Sequence, residues 1–418
     1  MLGNVVIFAG SGISTENPSV LPNSFYQDIC AKIGEENSGL PFPQVMEKFA
    51  NQHNGRLNLL TAIKERFQVI DSFPELRNNA TRFHRELATF YPVDTIVTTN
   101  WDRYFEEECG ASAFISPEDL AFWDAPGRKV LKIHGSIDNY GSIVATQKDY
   151  DTCEKDLREG VIGSILKVLL ATKTIVYIGY SLNDDDFRTI NSFVRDEMKG
   201  LHRQAYIVTP FKNDEHYENH GVIPIYTDGT YFIRRVKEHA KTELEGHFLS
   251  DTIYDAAAYM LRKVYRAHDE LHKTYNGQDN PEVIICAFYQ DGLCHGLERV
   301  LAMKKTGHYS HSCAVGQKIA IYENYRQKYL KHKIYEHVAY IDGYINALKF
   351  VASNANVNLV DCFPLFYAFG AKYDLVTFDD YAAIDGNIPS MHKAAYKRAK
   401  QIASKDDNDM VMHHPPWL

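Results

Sequence analysis

The strongest constraint on how this 418-residue chain can fold is a series of short apolar runs, each stopping abruptly at a glycine or a polar residue. Val5-Val6-Ile7-Phe8-Ala9 leads straight into Gly10-Ser11-Gly12-Ile13-Ser14-Thr15. Residues 94–99 end in Asn100-Trp101-Asp102, residues 129–133 in His134-Gly135-Ser136, and residues 174–178 in Gly179-Tyr180-Ser181-Leu182. Further runs lie at 142–146, 204–208 and 222–226. Pro224 marks the last as an edge strand, because proline gives no amide hydrogen to a ladder. Apolar strands alternating with segments of helical spacing predict an α/β domain built on a doubly wound parallel sheet with right-handed crossovers. Between the first two strands, residues 17–90 form a long insertion. Helical spacing at 25–33, 43–52, 57–67 and 81–90 predicts a helical cap over the carboxyl edge of the sheet.

In open α/β sheets a ligand binds outside the carboxyl ends of the strands. Gly10, Gly12, Asn100, Asp102, His134 and Ser181 are therefore expected around one crevice. Gly10-Ser11-Gly12 lets backbone amides approach an anion, and Ser14 stands where a helix is expected to begin. The full dinucleotide spacing G-x-G-x-x-G is not met, since Thr15 occupies the third glycine position. Taken alone, the turn reads equally as an anion cradle and as a tight strand-to-helix turn. Asp102 has a plain alternative too, as a cap for a helix starting near Arg103. Asp184-Asp185-Asp186 reads as a helix-starting acidic cluster rather than a metal site.

Hydrophobic residues make up 45% of the chain, enough for packed cores. The net charge of −9 is uneven: residues 254–418 carry 19 Lys and Arg against 18 Asp and Glu, leaving −10 on the rest. That acidic first part argues against wholesale nucleic-acid binding there. Seven scattered cysteines with no C-x-x-C pair fit reduced thiols and a cytoplasmic protein. The N-terminus shows no signal-peptide pattern. The apolar stretch 161–180 is interrupted by Lys167 and Lys173, which predicts a buried helix running into a strand rather than a membrane span. Past residue 250 the spacing turns helical, at 251–268, 287–304, 317–333, 335–352 and 391–404. The chain thus divides into a ligand-binding domain over 1–250 and a mainly α-helical domain over 251–418, serving oligomerisation, partner binding or sensing. Residues 299–333 hold eight basic side chains against the single acid Glu323, interleaved with tyrosines. This face fits nucleic acid or a nucleotide signal, but charge alone is weak evidence and a solvated helix face or subunit interface is the plainer reading. His308-x-x-His311-x-Cys313, with Cys294-His295 upstream, hints at metal but matches no closed zinc spacing.

Four ordered motifs together resemble the NAD-binding motifs of the sirtuin fold. They are Gly10-Ser11-Gly12-Ile13-Ser14-Thr15, Thr98-Thr99-Asn100-Trp101-Asp102, His134-Gly135 and Gly179-Tyr180-Ser181-Leu182, and the resemblance covers about the first 230 residues. The chain is most similar to the sirtuin-like branch found in bacterial anti-phage defence. The resemblance implies a Rossmann-like, sirtuin-type sheet and cleavage of NAD, the substrate, to nicotinamide and ADP-ribose. It implies that Asn100 orients a water or the ribose hydroxyls, that Asp102 holds the nicotinamide carboxamide, and that His134 is a general base in the ordinary imidazole range. It also implies that Gly10, Ser11, Gly12 and Ser14 line the pyrophosphate, Thr99 the ribose, and Gly179 and Ser181 the adenosine half. Protein-deacylating sirtuins carry two zinc-binding C-x-x-C pairs, and none is present here, so no zinc is expected. Their Gln before the Asn is Thr99 here, and their Pro-Asp-Phe-Arg loop is Pro22-Asn23-Ser24-Phe25. These departures favour hydrolysis of NAD itself over acyl-lysine chemistry. An NAD- or nucleotide-binding module without turnover is the other reading. A homo-oligomer and a phage-sensing partner, such as a HerA-type ATPase, are the partners the resemblance implies.

Overall fold

The computed structural model describes residues 4–35, 39–52, 54–125, 127–180, 196, 203–212, 217, 221–243, 247–250, 252–275, 277, 279–353, 361–384 and 390–404. The chain divides into two compact units, Met1–Thr242 and Glu243–Leu418.

The first unit holds one sheet with β1 (Val5–Ala9), β2 (Thr95–Thr98), β3 (Ser112–Phe114), β4 (Lys129–Lys132), β5 (Thr174–Ile178), β6 (Ala205–Thr209) and β7 (Val222–Tyr226). The order is β3-β4-β2-β1-β5-β6-β7 and every pairing is parallel. Pro224 sits on the edge strand β7, as its missing amide requires. Both faces are covered. Val6, Phe8, Val97, Leu131 and Tyr177 pack with Leu166, Leu169 and Leu170 of the helix Val161–Thr172. On the opposite face Val5, Ile7 and Val176 meet Phe232, Ile233 and Val236 of the helix Gly229–Glu243 around an apolar cavity of about 230 Å³.

The chain steps from β1 to β2 on one side, and later returns to the other side of β1 as β5. The strand order therefore reverses between β1 and β5, where an open α/β sheet offers its ligand crevice. The insertion supplies α1 (Phe25–Lys32), α2 (Phe42–Ala50), α3 (Gly55–Ser72), α4 (Pro74–Ala80) and α5 (Arg82–Ala88). Ser24 and Gln27 start α1 with a reciprocal capping box. Phe25, Ile29, Val45, Met46, Leu59 and Ile63 from α1–α3 pack around Trp101, Ile137 and Ile143, which follow the carboxyl ends of β2 and β4. The insertion is thus a cap on that edge.

Two local expectations change, and one strand is added. Residues 142–146 are not a strand: Tyr140–Ser142 is a 3-10 turn, and Thr146 caps the next helix, Gln147–Glu159. The edge strand β3 carries too little apolar length to stand out in the sequence. Ser14 opens no helix. It ends a three-residue 3-10 turn, Ser11–Ile13, and the first α-helix begins only at Phe25.

The second unit is helical, with long helices Ile253–Thr274, Glu282–Ala302, Ser312–Lys331 and Tyr335–Ala352, and shorter ones at Phe378–Ala382 and Ser390–Ala403. Small residues bring Glu282–Ala302 against Tyr335–Ala352: a Cβ on Gly292 would lie 1.9 Å from the Tyr340 carbonyl oxygen. The basic stretch falls mainly on Ser312–Lys331. Within it Arg326 is taken up by a two-pronged ion pair with Asp342.

Candidate functional site

The carboxyl ends of β1, β2 and β5 meet through their backbones. The Gly10 amide donates to the Ile178 carbonyl at 2.8 Å, and the Gly12 amide to the Gly179 carbonyl at 2.9 Å. A Cβ on Gly10 or Gly12 would stand 2.7 or 2.8 Å from the Gly179 oxygen, a distance no side chain tolerates. Gly179 has φ +83° and its own Cβ would meet the Gly10 oxygen at 2.6 Å. The glycines of this turn answer first to the packing of β1 on β5, and both amides are used there rather than facing a ligand. Ser11 accepts the amides of Ser14 and Glu16 on its carbonyl and is half-buried. Thr99 shares a 3.3 Å contact with the Tyr180 hydroxyl, which in turn donates to the Ala9 carbonyl.

Behind this turn lies a buried polar cluster. Ser14, Asn100, Asp102 and His134 are 0%, 5%, 2% and 6% exposed. Thr98 places Asn100: its Oγ1 donates to the Ala9 carbonyl and accepts the Asn100 amide at 3.0 Å. The Asn100 Nδ2 donates to the Gly10 carbonyl at 3.2 Å and reaches Ser14 Oγ at 3.4 Å. With its nitrogen held, the carboxamide has one orientation, and its Oδ1 is buried without a partner. Ser14 Oγ donates to Asp102 Oδ2 at 3.0 Å, so Ser14 bridges Asn100 and Asp102. Asp102 Oδ1 accepts the amide of Tyr104, the first residue of α6 (Tyr104–Cys109), at 3.1 Å. Asp102 therefore does serve the start of that helix, while each carboxylate oxygen keeps lone pairs for another donor.

His134 stands two residues past β4, as Asn100 does past β2, and Thr98 pairs with Lys132 in the ladder. The two side chains thus leave adjacent strand ends. The His134 carbonyl accepts the Val144 amide, and its ring meets Tyr150 edge-on at 5.0 Å. Gly135, at φ +82°, lets the chain turn beneath it. Burial pulls the imidazole down to a pKa of about 4, so at neutral pH it is uncharged. The expectation of an ordinary imidazole range is corrected by this burial. Ser181 lies outside the described residues, as do Leu182 and the Asp184-Asp185-Asp186 cluster.

Two charged residues matter here that no motif flagged. Lys132, buried at the end of β4, donates from Nζ to the Asp102 carbonyl and pairs with Glu106 Oε1 at 3.1 Å. Burial raises the Glu106 carboxyl. Arg66 of α3 holds the segment after β1: it pairs with Glu16 at 3.1 Å and Asp28 at 2.9 Å and donates to the Thr15 and Asn23 carbonyls. Each had a sequence signal. Lys132 breaks the run Val130-Leu131-Lys132-Ile133, and Arg66 lies on the stripe of Leu59, Ile63 and Ile70 that α3 buries.

The His308, His311 and Cys313 hint does not converge. His308 Nδ1 is engaged with Thr306 Oγ1, and His311 Nδ1 accepts the Cys313 amide. Among the described residues no group of three or more His, Cys, Asp or Glu is placed to hold a metal ion.

Residues 94–225 match the family model described as the SIR2-like domain. The chain is 28% identical over 214 residues to NAD(+) hydrolase ThsA of Enterococcus faecium, covering 49% of this chain and 43% of that protein. It is 32% identical over 206 residues to NAD(+) hydrolase ThsA of Cytobacillus dafuensis, covering 46% and 38%. With defense-associated sirtuin 2 of Bacillus subtilis it shares 26% identity over 237 residues, 53% of this chain and 23% of that protein. The chain spans less than half the length of each of these curated relatives. The stretch that matches the SIR2-like model contains Asn100, Asp102, His134 and Gly179.

Proposed function

We propose that the first unit binds NAD at the carboxyl ends of β1, β2 and β5 and hydrolyses the bond between ribose C1′ and the nicotinamide nitrogen, giving nicotinamide and ADP-ribose. The observation that carries this reading is the Asn100 carboxamide, pinned through its nitrogen and left with a buried, partnerless oxygen. An orphan acceptor beside Ser14 and Asp102, whose own hydrogen bonds are made, is the mark of a site built for another molecule's hydrogen. The name NAD(+) hydrolase, printed for two of the relatives, supports the same substrate.

The chemistry asks little of an acid. Nicotinamide leaves C1′ as a neutral molecule, so no proton has to reach it. The ribose ring passes through an oxocarbenium-like state that favours nearby negative charge and a placed water. Asn100 Oδ1 accepts a hydrogen from that water or from a ribose hydroxyl. The Asp102 carboxylate lies one hydroxyl away, through Ser14, and supplies charge of the right sign. Neutral His134 is in the form that takes a proton from the incoming water.

Under this reading the protein depletes NAD in anti-phage defence in the cytoplasm. An enzyme that drains NAD must be held off in a resting cell, which calls for an inhibitory oligomer or a sensing partner, such as a HerA-type ATPase. Among the described residues no helix is long and apolar enough to cross a membrane. The test is to incubate the purified full chain with NAD, alone and with the candidate partner, and to separate the products. Nicotinamide and ADP-ribose in equal amounts support the hydrolase. NAD that binds and stays intact under every condition supports a binding module instead.

A further inference from the structure

We propose that Lys132 is a positioning residue for this site, holding the Asn100–Asp102 segment in register with the turn after β1 so that the Asn100 oxygen faces the ribose. The inference rests on the hydrolase reading. A lysine inside a buried strand end is costly, since its charge leaves water. Lys132 is 2% exposed, and its ammonium has two partners: the main-chain oxygen of Asp102 and the carboxylate of Glu106, at 3.1 Å. Glu106 lies in the first turn of α6, and its second oxygen is buried without a partner. The lysine thus joins β4 to both ends of the stretch between Asp102 and Glu106. Asp102 is held from two sides, its carbonyl by Lys132 and its carboxylate by Ser14 at 3.0 Å and the Tyr104 amide at 3.1 Å. Ser14 in turn contacts Asn100 Nδ2 at 3.4 Å. A continuous polar chain therefore runs from Lys132 through Asp102 and Ser14 to Asn100. Lys132 sits two residues before His134, so one strand end fixes two candidate reacting groups.

The experiment compares the full chain carrying Lys132→Met, Lys132→Arg and Glu106→Gln with wild type, following nicotinamide release, NAD affinity by calorimetry and thermal melting. Misplacing a reacting group by about 1 Å costs on the order of 10²-fold in rate. Lys132→Met is expected to melt cooperatively, to bind NAD within about threefold of wild type, and to lose about 10²-fold in kcat, with Lys132→Arg recovering part of the loss. Wild-type kcat in Lys132→Met removes the role, and so does a loss of kcat matched by an equal loss of NAD affinity. If Lys132→Met does not fold, Glu106→Gln decides: lowered kcat with unchanged NAD affinity supports the role, and unchanged kcat overturns it. Wild type is the control that separates the two claims. No nicotinamide release from wild type, alone or with the candidate partner, removes the hydrolase reading and this proposal with it, whereas an active wild type beside an equally active Lys132→Met removes this proposal alone.

Discussion

Two glycine-lined contacts, one in each unit, look alike and differ in what borders them. In the first unit Gly10 and Gly12 lie against Gly179. In the second, Gly343 lies so close to a neighbouring helix that a Cβ would stand 2.0 Å from the Tyr289 oxygen. Both let backbones touch, and both would be broken by a methyl group. Around Gly343 the neighbours are core residues such as Tyr289, Leu293 and Tyr344. Around Gly10 they are Asn100, Ser14 and Thr99, one of them with an unmet hydrogen-bonding oxygen. A pair of glycines thus signals close packing. What sets the first contact apart is the unsatisfied polar group beside it.

One methyl group added to each contact should separate the two most strongly. Gly179→Ala meets both a left-handed backbone and a 2.6 Å clash. It should lose turnover almost completely and melt well below wild type. Gly343→Ala, with its Cβ 2.0 Å from the Tyr289 oxygen, should cost more than the about 1–3 kcal/mol usual for overpacking, with nicotinamide release per folded molecule unchanged. Loss of turnover in a Gly343→Ala protein that melts like wild type would erase the distinction.

A smaller effect follows from pH. Burial holds His134 at about 4 against an ordinary value of 6.5. The folded state therefore binds fewer protons than the unfolded state between those values. The stability this represents is complete above pH 6.5 and is lost as pH falls toward 4, on the order of 3 kcal/mol. His134→Asn should flatten the fall in melting temperature over that window, and an unchanged slope would show that His134 is not the source. Because the ring is neutral from about pH 6 upward, wild-type nicotinamide release should show no titration near 6.5 that His134→Asn removes.

The sheet was legible because central parallel strands are apolar on both faces, and Val5–Ala9 and Thr174–Ile178 look like nothing else. Strand β3 was not, because Ser112-Ala113-Phe114 has no apolar run to read. The site was legible as residue types at strand ends: Asn100, Asp102 and His134 all lie where the parallel sheet opens. Their wiring was not. Gly12 faces the end of β5, Ser14 joins Asn100 to Asp102, and Lys132 holds the Asp102 carbonyl. Each of these links residues far apart in the chain, 88 positions for Ser14 and Asp102, and no local pattern encodes such a meeting. In the second unit the helices were visible from spacing. The close crossing at Gly292 and Gly343 was hidden, since a helical glycine reads as a weakness until its neighbour is known.

The proposed role of the partnerless Asn100 oxygen in NAD cleavage meets its hardest test in nicotinamide release by the purified full chain, wild type against Asn100→Ala. NAD binding is measured on the same samples. Wild type, alone or with the candidate partner, should release nicotinamide, and Asn100→Ala under the same condition should still bind NAD but turn it over about 10²–10³-fold more slowly. Asn100→Ala releasing nicotinamide at the wild-type rate would contradict that role.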